Sequence, residues 1–266
     1  MQKTILITGA TDGIGLVTAK ILVEQGHHVL LHGRSPAKLE AVVDSLSKLV
    51  TTGSIESYIA DLSDIQQVEA LAKAVAAQHS SLDILINNAG IFKTNSPTTA
   101  AGLDTRFVVN TLAPYVLTRR LLTLMNAESR VVNLSSAAQA PVNLDALRGK
   151  AKLEPMEAYA QSKLAITSWS HHMALELGDT LVIVAVNPAS MLGSKMVKEG
   201  FGVDGGDLSI GADILIRAAL SDEFADATGK YFDNDARKFA APHPDAFNAQ
   251  KSAELIQVME AVLAEL

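Results

Sequence analysis

Along this chain, short runs of consecutive apolar residues alternate with longer stretches in which apolar positions recur every three or four residues. Ile5–Ile7, His28–His32, Ile55–Ala60, Leu82–Ile86, Arg130–Leu134 and Leu181–Val186 are the short runs and predict strands. The stretches from Leu16 to Gln25, Pro36 to Leu49, Ile65 to Gln78, Leu103 to Met125, Glu157 to Leu177 and Asp245 to Leu263 predict helices. Gly26 stops the first helix, and Pro36 stands in the first turn of the second, where a missing N–H costs nothing. Near-continuous apolar strands separated by helices predict a parallel sheet buried on both faces. Right-handed crossovers then make it an α/β, doubly wound sheet with helices on both sides. No Pro/Gly/Ser linker and no internal repeat interrupts it, so residues 1–266 read as one domain.

Composition narrows the picture. Apolar residues make up 48% of 266 and charged residues 19%, enough for a large core. The formal charge of −7, without a basic run, speaks against a nucleic-acid partner. Cysteine is absent, which removes disulfides, thiolate metal sites and thiol nucleophiles. No apolar run reaches about 18 residues, so no membrane span is expected. Met1-Gln2-Lys3 leads straight into a strand, leaving no room for a leader. The expectation is a soluble cytoplasmic protein.

The first strand-to-helix turn carries Thr8-Gly9-Ala10-Thr11-Asp12-Gly13-Ile14-Gly15. Three glycines allow a tight reversal, a close approach to a pyrophosphate and close helix packing. The helix start adds free N–H groups and partial positive charge. Gly9, Thr11, Asp12, Gly13, Ile14 and Gly15 are therefore candidate cofactor-binding residues. The other reading is a glycine-rich turn that binds nothing. An acid that binds an NAD ribose would stand about 20 residues further on. That position is near Gly33, and residues 27–35 hold no Asp or Glu. Arg34 and Ser35 stand there instead, with Lys38 one helical turn on, a set suited to a 2′-phosphate. NADP(H) is favoured over NAD(H).

Other polar motifs fall at the carboxyl ends of the predicted strands, where open parallel sheets bind ligands. Asn87-Asn88-Ala89-Gly90 closes the fourth strand, Ser135-Ser136 the fifth, and Tyr159-x-x-x-Lys163 opens the helix that follows. With Thr8–Gly15, Asp61-Leu62, Asn110 and Asn187-Pro188, these motifs resemble those of the short-chain dehydrogenase/reductase family, in its single-domain branch. The resemblance implies a Rossmann-type fold of about seven parallel strands and hydride transfer between a nicotinamide and an alcohol/carbonyl pair. It implies catalytic roles for Asn110, Ser136, Tyr159 and Lys163, with Ser136, the second of the serine pair, bonding the substrate oxygen. It places Asn110 in a water-linked proton relay behind Lys163, and Lys163 on the nicotinamide ribose. It puts Asp61, Leu62, Asn88, Ala89, Gly90, Pro188 and Ala189 with the cofactor. It also implies a homodimer or homotetramer.

The chemistry has its own logic. An unperturbed Tyr, with a pKa of about 10, is an acid at neutral pH but a poor base. A Lys four residues on shares its helical face, and its charge favours phenolate. Packing explains each residue singly: Tyr159 as a half-buried ring, Lys163 as a solvated charge, Asn110 as a local helix distortion, Asp61 as a cap for the helix beginning near Asp64. His171 and His172 lack a third ligand, and no metal is expected.

Two departures from the family pattern stand out. Ser136 and Tyr159 are about twice as far apart as in many members, which resembles the retinol-dehydrogenase-like spacing. The added segment, about 138–156, carries Asp145, Arg148, Lys150, Lys152 and Glu154 and reads as an exposed flap. Ala189 stands where the family usually has Gly. Residues 189–207, with Met191, Leu192, Met196, Val197, Phe201 and Val203 among five glycines, are expected to form a mobile substrate lid. A lipophilic carbonyl is favoured, although Lys195 and Lys198 leave room for an anionic group. The alternatives are a non-enzymatic NADP(H)-binding sensor on the same fold, and a sugar-nucleotide epimerase, whose glycine spacing Gly9, Gly13 and Gly15 do not match.

Overall fold

The computed structural model describes all of residues 1–266. The chain runs β1 (Thr4–Ile7), α1 (Gly13–Glu24), β2 (His28–Gly33), α2 (Pro36–Ser47), β3 (Ser54–Ile59), α3 (Ile65–Gln78) and β4 (Ile84–Asn87). It continues through α4 (Thr105–Phe107), α5 (Ala113–Leu121), β5 (Arg130–Leu134), α6 (Leu144–Leu147), α7 (Pro155–Leu177) and β6 (Val182–Asn187). The last elements are α8 (Lys195–Phe201), α9 (Leu208–Leu220), β7 (Tyr231–Asp233), β8 (Lys238–Ala240) and α10 (Ala249–Leu263). Side chains close the starts of the helices: Asp12, Asp64, Asn143, Ser194, Asp207 and Asn248 each accept a hydrogen bond from a first-turn N–H.

The sheet order is β3-β2-β1-β4-β5-β6-β7-β8. All neighbours are parallel except β7 and β8, which pair antiparallel. The eighth strand adds to the seven expected; a three-residue Lys-Phe-Ala segment has no sequence signal of its own. One apolar cluster packs the sheet against α3, α5, α7 and α10 and holds Trp169, Tyr115 and Phe107. The other packs it against α1, α2 and α9. The strand order reverses between β1 and β4, so their carboxyl ends form the crevice of a doubly wound sheet.

Three expectations change in detail. The helix expected over 103–125 is helical from Thr105 to Leu124, but Val108–Leu112 is a π-helical turn. The last helix begins at Ala249, after a 3-10 turn at Pro244–Phe247 that Asn248 ends. In the segment 138–156, the five charged residues lie on the surface, yet α6 buries Ala146 and Leu147 completely. Asn143 N–H also donates to Gln161 Oε1 (2.8 Å), so the segment is stitched to α7 rather than standing free.

Candidate active site

The turn after β1 is shaped by crowding. Gly9 and Gly13 have φ of +68° and +55°, values that L side chains rarely adopt. A Cβ on Gly9 would come 2.9 Å from Ala89 Cα, and one on Gly15 would collide with the Gly9 carbonyl and the Asn88 amide. Asn88 Nδ2 donates to the carbonyls of Thr8 (2.8 Å) and Gly9 (3.2 Å), and Ala89 N–H donates to Thr8 Oγ1 (3.1 Å). The Asn88 side chain thus braces the glycine turn against the end of β4. Asp12 accepts from Gly13 N–H at 2.7 Å. The next two amides, Ile14 and Gly15, have no acceptor in the protein. They are the free donors of a helix start.

His32 was not picked out from the sequence. It is buried in β2, its Nδ1 accepts from Gly9 N–H (3.3 Å) and its Nε2 lies 3.1 Å from the Ala60 carbonyl. Those two partners require a neutral ring protonated on Nε2. Burial pushes its pKa down, against smaller upward effects of Ala60 and Asp61.

At the end of β2, Ser35 makes no side-chain cap, and Pro36 has no N–H to offer. Beside it the Arg34 side chain is 75% exposed, its nearest acid being Asp61 Oδ2 at 3.9 Å. The Asp61 carboxylate accepts from Ser63 N–H (2.9 Å) and Ser63 Oγ (2.7 Å). The cap of α3 is Asp64, not Asp61, because Asp64 accepts from Gln66 N–H. Leu62 is buried in the core, which leaves only its backbone free for a ligand.

Tyr159 and Lys163 occupy one face of α7. Lys163 is 4% exposed, lies 5.7 Å from the Tyr159 ring centroid and donates to the Leu134 carbonyl at 2.7 Å. Burial lowers its pKa to about 8. Burial raises that of Tyr159, and the Ser136 hydroxyl beside it acts in the opposite sense. Ser135 is turned away: its hydroxyl is 2.6 Å from Thr167 Oγ1 and bonds the Lys163 carbonyl at 3.2 Å. Asn110 sits in the π-helical turn. It accepts from Ile91 N–H (2.8 Å) and donates to the Ile91 carbonyl (2.9 Å) and to Ser162 Oγ (3.0 Å). Ser162 Oγ donates in turn to the Tyr159 carbonyl (2.7 Å). A Cβ on Gly90 would lie 3.4 Å from both Asn110 Oδ1 and Lys163 Nζ, so this bare position keeps room between them. Asn87, by contrast, points into the core and bonds Thr118 and Asn133.

The chain leaving β6 passes the same place. Asn187 Nδ2 donates to Asp233 Oδ1 (2.8 Å) and Asp235 Oδ2 (2.9 Å), and Asp235 also accepts from Ser190 N–H (2.8 Å). Asn234 donates to the Pro188 carbonyl (3.0 Å). Held this way, Ala189 adopts φ of +108° and Met191 +56°. Beyond them Gly193 N–H donates to the Gly206 carbonyl and Gly206 N–H to that of Met191, both at 2.7 Å. The loop between carries α8. Its Ser194 Cβ lies 3.7 Å from where a Gly13 Cβ would be, and Phe201 stacks on Phe92 with ring centroids 5.6 Å apart. Phe92 meets Tyr159 edge-on at 5.4 Å. Lys195 and Lys198 are exposed and within ion-pair distance of Glu199 (3.5 Å) and Asp204 (3.6 Å). Phe92 and Asp235 carry no motif, so only the fold shows them beside Tyr159 and Asn187.

The cradle fits a dinucleotide. Unpaired amides stand at the start of α1, the bare positions 13 and 90 leave space, and the exposed Arg34 guanidinium and the Ser35 hydroxyl close the end of β2. Comparison with known proteins agrees with this geometry. Residues 3–201 match the sequence profile of the short chain dehydrogenases. The chain is 30% identical to human retinol dehydrogenase 13 over 95% of its own length and 82% of that protein. Among solved structures it resembles an uncharacterised protein from Mycobacterium Paratuberculosis, with a TM-score of 0.81 and 28% identity over 98% of this chain and 93% of that one. It also resembles the landomycin C-6 ketoreductase LanV with bound NADP and rabelomycin, with a TM-score of 0.68 and 26% identity over 87% and 94% of the two chains.

Proposed function

This chain belongs to the short-chain dehydrogenase family, and on that premise we propose that it interconverts a lipophilic carbonyl compound and its alcohol with NADP(H), Tyr159 serving as acid and base. The observation that carries the reading is the pairing of half-buried Tyr159 with buried Lys163 on one face of α7, beside Gly90. Bound NADPH supplies the hydride. The chain's own residues do the rest. Burial keeps the Tyr159 phenol protonated at neutral pH, ready to protonate a developing alkoxide. The Ser136 hydroxyl beside it donates to the same oxygen. The Lys163 ammonium, 5.7 Å from the ring, stabilises the phenolate left behind, and in this reading it also holds ribose hydroxyls, as the family resemblance implies. Asn110 fixes this arrangement by tying Ile91 to Ser162, and Ser162 to the carbonyl of Tyr159 itself. In this reading it positions α7 in addition to any relay through water.

The cofactor is held by the amides of Ile14 and Gly15, with Gly9 and Gly13 giving the backbone access. Thr11, Asp12 and the 88–90 and 188–189 stretches border it. Arg34 and Ser35 select NADP(H), and Asp61 lies beside the adenine. LanV carries NADP in its structure, and retinol dehydrogenase 13 acts, by its name, on retinol; both support the choice. Segment 189–207 acts as the lid, and Phe92 and Phe201 present an apolar wall next to Tyr159. No helix is long and apolar enough to cross a membrane. The reading is completed by a cytoplasmic homodimer or homotetramer.

The test follows NADPH absorbance with a panel of apolar and hydrophilic aldehydes and ketones, in wild type and Tyr159→Phe. Turnover with apolar members of the panel is expected. The variant should lose about 10²–10⁴-fold in kcat, the usual share of general acid–base catalysis, while its NADPH affinity changes less than about threefold. A Tyr159→Phe protein that turns over near the wild-type rate removes Tyr159 from the chemistry.

A further inference from the structure

Away from the crevice, at the amino-terminal end of β2, three side chains from separate elements meet. His28 opens β2, Glu56 lies on β3 and His79 follows the last turn of α3. In the β2–β3 register His28 faces Ser54 and Leu30 faces Glu56. Alternation along the strands puts His28, Ser54, Glu56 and Tyr58 on the face that α3 covers. Glu56 Oε1 is 3.2 Å from His28 Nε2, and Glu56 Oε2 is 3.1 Å from His79 Nε2. The two imidazoles meet edge-on, with centroids 5.5 Å apart. One ligand atom from each residue lies within 4.8 Å of the other two.

We propose that His28, Glu56 and His79 bind one divalent transition-metal ion, of which zinc fits best. Two imidazoles and one carboxylate form a donor set that suits zinc, copper or nickel better than magnesium or calcium. Zinc–nitrogen and zinc–oxygen bonds of about 2.0–2.2 Å in a tetrahedron put neighbouring ligand atoms roughly 3.3 Å apart. Each histidine faces its own carboxylate oxygen, and with one ligand atom from each residue inside 4.8 Å, a small rotation of the Glu56 carboxylate brings the three to that edge length. The outer partners are in place as well. Ser54 Oγ bonds the other ring nitrogen of His28, which directs Nε2 inward. The Tyr58 hydroxyl lies 3.0 Å from Glu56 Oε2 and 2.6 Å from Gln78 Oε1; when the ion takes His79 Nε2, it keeps these two contacts and gives up the one to that nitrogen. The side chains of His28, His79 and Glu56 are 24%, 11% and 36% exposed, so solvent can deliver the ion and fill a fourth position.

The ion serves the fold, not the hydride transfer. The ligands stand at the opposite end of β2 from Arg34, and β3 is the edge strand, on which only Tyr58 is fully buried. A metal there staples the edge strand and the end of α3 to β2, and it stabilises the folded state by binding it alone.

The test uses untagged full-length protein stripped with a chelator. Calorimetric titration with Zn²⁺ should give one equivalent bound and a melting temperature raised by several degrees. Co²⁺ should give a tetrahedral visible absorption and paramagnetically shifted ring protons from two histidines. His79→Gln and Glu56→Gln should each weaken binding at least tenfold, whereas substituting His171 and His172 by Ala should leave it unchanged. Absence of saturable binding below about 100 µM overturns the proposal, as does binding that survives His79→Gln or disappears with His171 and His172. The Co²⁺ spectra of the wild type decide the matter even if a variant fails to fold: no shifted histidine signals, or an octahedral spectrum, rejects the site.

Discussion

The ammonium of Lys163 donates to the main-chain oxygen of Leu134 at 2.7 Å, from a position with almost no access to solvent. One carbonyl is thin compensation for a buried charge, and the pKa falls from 10.5 to about 8. The folded protein therefore holds fewer protons at this group than the unfolded chain does between pH 8 and 10.5. Stability rises with pH across that window and loses this contribution as pH falls through about 8. The shift corresponds to about 3 kcal/mol. Lys163→Met removes this dependence but leaves the Leu134 carbonyl unpaired, at about 1–3 kcal/mol. In urea unfolding, wild type should gain on Lys163→Met by about 3 kcal/mol between pH 7.5 and 10.5. A pH-independent difference between the two proteins would show that the charge is not buried in solution.

Arg34 should select the cofactor. Its guanidinium is three-quarters exposed and only loosely paired, with Asp61 Oδ2 at 3.9 Å. Arg34→Ala is expected to raise the KM for NADPH roughly tenfold to a hundredfold, the worth of a charge-assisted hydrogen bond, and that for NADH less than about threefold. Equal changes in both would assign Arg34 to the adenine or to solvent.

Ala189 carries strain that glycine would relieve. At φ of +108° its Cβ crowds the backbone, in a conformation costing about 1–3 kcal/mol. Ala189→Gly should therefore gain roughly 1 kcal/mol net of the extra freedom glycine brings to the unfolded chain, or about 2–4 °C in Tm. A lowered Tm would mean that the Asp235 and Asn234 contacts hold the turn without strain.

Phe201 should set the taste for apolar substrates. It stacks on Phe92, which in turn meets Tyr159. In a series of straight-chain aldehydes, kcat/KM should rise with each methylene by up to about 0.8 kcal/mol, roughly fourfold. Phe201→Ala should flatten the series. A flat series in the wild type, or a preference for hydrophilic carbonyls, removes the apolar wall from the recognition scheme.

The parts of this molecule that local chemistry decides were readable along the chain. The alternation through β6, the glycine turn, the polar ends of β4 and β5 and the Tyr159/Lys163 spacing each depend on residues within a few positions. The rest depends on partners far apart in sequence. The π-helical turn around Asn110 is held by bonds to Ile91 and Ser162. Asp235 fixes a turn that begins at Asn187. His32 reads as one more strand residue until Gly9 folds over it. β3 ran against its own sequence: on this edge strand Ser57 and Ile59 are exposed and only Tyr58 is buried, so it is not an apolar run covered on both sides. The glycines of 189–207 suggested looseness, yet several of them close turns or let α8 lie near Phe92.

The paired bonds between Gly193, Gly206 and Met191 have a consequence for amide hydrogen exchange. They cinch the neck of the loop carrying α8, while most of its interior side chains reach solvent. Swinging the loop aside need not break the neck, so the two processes should leave separate signatures in deuterium uptake. The amides of α8 should exchange early, through fluctuations confined to the loop. Those of Gly193 and Gly206 should stay protected until β6 and α9, which flank the neck, come apart.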